Sequence, residues 1–351
     1  MLRNTSAFCE PIQPKSLEEL HEKAFEWRME MSDELLIGAI DSHVHAGPVL
    51  ASNPGRFDPI EVAQMARDAG MRSIVYYSVF GNAAEMAWIT NRHVPGIRTY
   101  GGYLMNSCQG GLNPRAVRTA LAMEEGCRFV SFGSHCTYAS VTSESTLIDG
   151  KPVPFVDAFP KFRETELPVA VRIPLEGAVP PELDEILSMV AEKPWVYLNT
   201  GHVSVPEAFR ILELSKQYGI KKVLIAHPTR GAMTVEQQKQ AAAQGAFLEG
   251  CAGDWFFPDA PHTHYYAEKE YQDLTCLLDK QTRYSTAHWM RTLREVGPEH
   301  FVLGTDYGIR SAPSPIEGMR MMISLLLDYD FSYEEIRKMT VENPAKLIGM
   351  D

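Results

Sequence analysis

The stretch PEAFRILELSKQYGIKKVLIAHP, Pro206 to Pro228, contains one complete repeat of a fold. Pro206–Tyr218 reads as a helix, and Gly219 follows where a residue in the left-handed region ends one. Lys222–Ala226 then runs apolar almost throughout, as a parallel strand buried on both faces does. The run ends on His227-Pro228. The same rhythm extends in both directions. Helical segments Ile60–Ala69 and Val235–Gln244 stop before Gly70 and Gly245. Apolar runs recur at Leu36–Asp41, Ser73–Val79, Thr99–Met105, Arg128–Phe132, Trp195–Asn199, Ala246–Glu249 and Phe301–Gly304. Eight such runs alternating with helices predict a closed (β/α)8 barrel of the TIM type. A doubly wound open sheet is the alternative, and Val169–Ile173 is a further strand candidate.

Upstream of the barrel, residues 1–14 read as an irregular arm. Ser16–Met31 reads as an amphipathic helix with Ser16 as its N-cap. Residues 1–36 are therefore an arm and helix, and 37–351 the barrel. Two stretches break the rhythm. Ser140–Pro168 carries the turn pair Asp149-Gly150 and predicts a hairpin-bearing excursion after the fourth strand. Gly250–Gly297 is long and aromatic, and at the C-terminal face of a barrel such loops shape the pocket.

The chain has 351 residues and a formal net charge of −12. That length buries a sizeable core without disulfides. The acidic balance argues against nucleic acid and anionic membrane surfaces as partners. Six scattered cysteines, none in a Cys-x-x-Cys pair, read as reduced thiols rather than a disulfide framework or a thiolate zinc site. No secretory h-region or membrane-length apolar run is visible. We expect a cytoplasmic homo-oligomer acting on a small molecule.

The chemistry sits at the strand ends. Asp41-Ser42-His43-Val44-His45 follows the first strand, and residues two apart on an extended chain share a side. Two imidazoles placed so can grip one metal ion. The fifth strand ends in His202, the sixth in His227 and the eighth in Thr305-Asp306. Each alone reads equally as a satisfied core histidine or a loop carboxylate. Together, at the end where barrel enzymes keep their catalytic groups, they suit zinc, and also manganese or iron.

With these residues the sequence resembles the amidohydrolase superfamily of metal-dependent barrel hydrolases, over roughly Gly38 to Gly349. The carriers are His43–Pro48, Thr200-Gly201-His202, His227-Pro228, Gly245–Glu249, Thr305-Asp306 and the tail Glu342-Asn343-Pro344-Ala345-Lys346-Leu347-Ile348-Gly349. The pattern is most similar to an amidohydrolase-like branch with no assigned function. The resemblance implies that His43, His45, His202 and His227 ligate metal and that Asp306 is both ligand and general base. It implies hydrolysis of an amide, cyclic amide or ester, with His202 available to polarise the carbonyl. Many two-metal members carry a bridging Lys or Glu at the end of the fourth strand. Here that end reads Phe132-Gly133-Ser134-His135, so a single ion is expected, with His135 and Glu249 as possible parts of a variant second site. Glu249 otherwise forms a salt bridge to an arginine.

Further candidates for the substrate are Arg230 and Arg172, which could hold a carboxylate, and His135, Asn106 and Trp255. Trp255 stands with Phe256, Phe257, Tyr265 and Tyr266 in the segment expected to roof the pocket. Two other readings remain open at this point. One is a decarboxylase or carbon–carbon bond hydrolase acting on an aromatic acid. The other is a non-catalytic barrel.

Overall fold

A computed structural model describes residues 17–47, 56–228, 233–256, 262–263, 275–276, 285–309 and 312–350. Eight parallel strands alternate with helices. We number them β1 (Ile40–His45), β2 (Ser73–Tyr77), β3 (Arg98–Leu104), β4 (Cys127–Ser131), β5 (Tyr197–Asn199), β6 (Val223–Ile225), β7 (Phe247–Cys251) and β8 (Phe301–Gly304). Each pairs with the next in sequence order. The ring closes between β8 and β1 just above the regular ladder. There Asp306 N donates to His43 O and His45 N to Tyr307 O, both at 2.8 Å. The expected barrel is thus the observed one. Among the described residues, no helix is long and apolar enough to cross a membrane.

Two apolar layers hold it. Inward side chains Ile40, Val75, Tyr100, Phe129, Tyr197, Leu224 and Val302 fill the barrel, and Ala345, Leu347 and Ile348 close its lower end. Outward ones such as Val44, Ile74, Val130, Leu198, Leu248 and Leu303 pack against the helices. The glycines read as helix terminators, Gly70, Gly219 and Gly245, all have positive φ.

The first strand differs from its sequence reading. The N-terminal helix runs over Leu17–Leu36 and buries Leu35 and Leu36 in its last turn, so the strand starts later, at Ile40. His43 and His45 therefore lie in the strand, not after it. Ile40 faces the barrel interior and Val44 faces the helices. A regular strand would put both on one side. A register shift between Asp41 and Val44 resolves the conflict, and it leaves His43 and His45 pointing inward while Val44 packs outward.

After β4 the chain makes the expected excursion. A hairpin joins Ser145–Ile148 to Lys151–Pro154 through Asp149 (φ 50°) and Gly150 (φ 73°), the positive-φ pair that a tight two-residue turn requires. Val141, Phe155 and Phe162 give it a small core of its own. Val169–Ile173 is no barrel strand: Leu167–Val169 is a 3-10 turn, and Val171 makes one isolated bridge to Thr137.

Candidate metal centre

The upper mouth of the barrel collects the imidazoles of β1 and β6 around the carboxylate that follows β8. His43, His45 and His227 are 5%, 7% and 2% exposed. His45 Nε2 lies 2.9 Å from Asp306 Oδ1, and His43 Nε2 3.5 Å from the same oxygen. His227 Nε2 is 3.8 Å from Asp306 Oδ2. His43, His45 and Asp306 each offer a donor atom, all within 4.8 Å of one another.

The other ring nitrogen of each histidine is already engaged. His43 Nδ1 donates to Glu249 Oε1 at 2.9 Å, His45 Nδ1 to Tyr77 O at 3.0 Å and His227 Nδ1 to Asp254 Oδ2 at 3.0 Å. A carbonyl or carboxylate can only accept, so Nδ1 carries a proton and Nε2 is the nitrogen turned to the centre. A carboxylate or carbonyl behind each imidazole is the arrangement that orients a metal-ligating histidine. Three imidazole Nε2 atoms and one carboxylate fit a divalent cation such as zinc. Cys251 also stands with His43, His227 and Glu249 within ligand reach.

Below this layer, rings stack downward in series. His43 lies on Tyr77 at 3.8 Å, Tyr77 on Phe129 at 4.1 Å, and Phe129 meets Tyr197 at 5.5 Å. The Tyr77 and Tyr197 hydroxyls are 2.8 Å apart, and Asn199 donates to Tyr77 at 2.9 Å. This floor separates the charged centre from the apolar plug.

Electrostatics follow from burial and from these pairs. Burial works against charge on His43, but Glu249 and Asp306 outweigh it and raise the imidazole to about 8. His45 drops to about 4, because burial dominates and Arg56 repels its charged form. Burial also opposes the charges of Glu249 and Asp306, yet the surrounding histidines hold both below the usual carboxylate range. Asp41 is fully buried and pushed up to about 7 by that burial. Its carboxyl accepts from Thr305 N at 2.9 Å and from Thr305 Oγ1 at 2.7 Å, tying β1 to the end of β8. His227 and Asp306 have positive φ, 41° and 57°. Residues with side chains hold such conformations at a cost of about 1–3 kcal/mol each, and they cluster where geometry serves function.

A family model described as "Family of unknown function (DUF6282)" matches residues 38–249. The chain belongs to this family. No curated protein matches. Among solved structures, an amidohydrolase from Pseudomonas aeruginosa shares 11% identity at a TM-score of 0.50, covering 92% of this chain and 99% of its own. A dihydropyrimidinase from Brevibacillus agri shares 14% at a TM-score of 0.50, covering 90% and 71%. A D-hydantoinase shares 14% at a TM-score of 0.50, covering 88% and 70%. At these identities the likeness is one of fold: this DUF6282 member shares a (β/α)8 barrel with those proteins.

Not every residue singled out in the sequence joins the centre. His43, His45, His227 and Asp306 converge. Glu249 is fully buried behind two of them, bonded to His43 and accepting from His227 N at 3.3 Å. Its partners among the described residues are His43 and His227, so the expected arginine bridge is replaced by an imidazole one. His202 stands one imidazole further out. Its ring is 5.1 Å from that of His227 and 5.0 Å from that of His135, and its donor atoms group with His135 and Glu144 rather than with His43, His45 and Asp306.

Trp255 is fully buried in the core against Trp289, with ring centroids 6.2 Å apart. It packs beneath the helices instead of roofing the mouth, because the chain after β7 turns straight into the helix Ala252–Phe256. Arg172 stacks on Tyr138 at 3.5 Å on the exposed surface. Asn106 ties loops together, donating to Val79 O and accepting from Ser134 N. Arg230 and the aromatics Phe257, Tyr265 and Tyr266 lie outside the described residues. The sequence reading missed Asp254, Glu144 and Cys251. Only the pairing of Asp254 with His227 and of Glu144 with His135 gives them meaning, and a lone cysteine at a strand end carried no signal.

Proposed function

We propose that this protein is a metal-dependent hydrolase that cleaves an amide, cyclic amide or ester bond of a small molecule. The observation that carries the reading is the set of three imidazoles whose Nδ1 atoms are each engaged behind the centre, so that their Nε2 atoms face Asp306. Barrels of this fold include an amidohydrolase, a dihydropyrimidinase and a D-hydantoinase, which favours a carbonyl substrate of the same kind.

His43, His45, His227 and Asp306 would hold the ion. A divalent ion bound there supplies Lewis acidity towards a carbonyl and lowers the pKa of water towards ~7. The remaining work falls to the chain. Asp306 stays a carboxylate at neutral pH and, at 17% side-chain exposure, is the part of the cluster most open to the mouth. It takes a proton from the attacking water and returns it to the leaving nitrogen or oxygen. Glu249, Asp254 and the Tyr77 carbonyl keep the imidazoles in register. His202, edge-on to His227, is the group we assign to hydrogen-bond the carbonyl oxygen.

The test is a screen of hydantoins, dihydropyrimidines, N-acyl amino acids and lactones with zinc-, manganese- or iron-loaded protein in 18O-labelled water. Turnover with one labelled oxygen in the product is expected. Carbon dioxide release from aromatic acids without label incorporation would move the protein to the decarboxylases. Protein that takes up no metal and turns over nothing on the panel would favour a non-catalytic barrel.

A further inference from the structure

Beside the Asp306 centre stands a second group of donors, of which the proposed reaction uses only His202. His135, four residues past β4, Glu144 from the excursion and His202 after β5 each offer a donor atom, and these lie within 4.8 Å of one another. His135 is 6% exposed and Glu144 3%. His135 Nδ1 and Glu144 Oε1 are 2.5 Å apart, and the His135 and His202 rings meet edge to face at 5.0 Å.

The backbone is built to bring them together. Gly201 has φ +60°, and a Cβ placed on it would lie 2.0 Å from Gly133 O. Only glycine lets the ends of β4 and β5 approach so closely, and His202 N then donates to Gly133 O at 3.0 Å. Thr137 Oγ1 donates to His202 O at 2.5 Å and accepts from Ser140 N at 3.2 Å. It thereby starts the helix Tyr138–Ser143, whose C-cap is Glu144. That short helix folds the carboxylate back over His135. The backbone of Glu144 is pinned at both polar atoms, its N donating to Ser140 O and its O accepting from Phe155 N.

We propose that His135, Glu144 and His202 form a second divalent-cation site, distinct from the one around Asp306. Two imidazoles and a carboxylate are the ligand set that leaves zinc an open fourth position, and the same set accepts manganese. A carboxylate buried this deeply requires positive charge beside it. A plain His135–Glu144 ion pair would meet that need without His202, whereas the close Gly133–Gly201 approach brings His202 to the same spot. The protein therefore holds two ions, where the missing Lys or Glu at β4 had suggested one. The site does not depend on the hydrolase reading, since it is counted in bound metal.

Full-length protein is stripped with a chelator, titrated with Zn2+ and assayed by elemental analysis and calorimetry. Wild type is expected to bind two equivalents. Glu144→Gln and His135→Gln are each expected to lose one equivalent or weaken it at least about tenfold, with circular dichroism and melting unchanged. His43→Ala is expected to lose the other equivalent and keep this one. Saturation of wild type at a single equivalent overturns the proposal. So does retention of two wild-type-affinity equivalents in both His135→Gln and Glu144→Gln. Should either variant fail to fold, anomalous scattering at the zinc edge from wild-type crystals decides: a peak among the three side chains supports the site, and its absence at saturating zinc refutes it. Loss of hydrolase activity in every assay leaves this count untouched.

Discussion

At the lower end of the barrel, Ile40, Val75, Tyr100, Leu224 and Val302 meet Ala345, Leu347 and Ile348 in an apolar plug. At the upper end, a few residues further along the same strands, His43, His45, His227, Glu249 and Asp306 meet one another. Both ends are buried. The lower end needs only shape and apolar area, so many side chains would serve there. The upper end places charge out of water, where each group must find a partner of the right sign and direction. Its backbone reflects this: His227 and Asp306 take positive φ. The helix Asn343–Ile348 that carries the plug is held by plain geometry, with Asn343 Nδ2 donating to Pro298 O at 3.0 Å and Phe301 O at 2.7 Å. One end is selected for packing and the other for orientation, and substitutions should separate the two.

The largest effect should come from the upper end. Asp306→Asn keeps the side-chain shape, and asparagine tolerates the positive φ, but it cannot accept a proton. Turnover should fall about 10²–10⁴-fold while the melting temperature of the metal-loaded protein stays within a few degrees. Wild-type turnover in this variant would remove Asp306 as the base. At the lower end, Leu347→Ala should cost about 2–5 kcal/mol of stability. It should leave metal content per folded molecule unchanged. If metal is lost in proportion, the two ends are not independent and the contrast drawn above fails.

Smaller effects sharpen it. Asp254→Ala leaves His227 Nδ1 without its acceptor, so metal affinity should weaken about 10–100-fold, read by competition with a chromophoric chelator; unchanged affinity would show that Asp254 does not orient the ligand. Arg172→Ala lies at neither end. It loses a surface cation–π contact of about 0.5–1 kcal/mol, so denaturant melts should move by no more than that and kcat/KM not at all. A fall in kcat/KM would return Arg172 to the substrate site.

Local chemistry was readable from the sequence. Gly70, Gly219 and Gly245 marked helix ends because a left-handed residue is a local requirement. Asp149-Gly150 marked a hairpin for the same reason. The eight apolar runs predicted the barrel, since a strand buried on both faces has to be apolar wherever it lies. His43 and His45 stood out by spacing, and His227 and Asp306 by position at strand ends.

What the tertiary structure decided concerns partners far apart in the chain. Glu249 meets His43 across 206 residues and Thr305 meets Asp41 across 264. Asp254 becomes meaningful only behind His227, and Glu144 only where a short helix returns it to His135. The shift inside β1, which lets Ile40 and both histidines face inward while Val44 faces out, depends on pairing with β2. Periodicity records which face of an element is apolar. It carries no record of which strand ends meet once the ring closes, and in a buried polar site that meeting fixes the tautomer, the charge and the direction of every side chain.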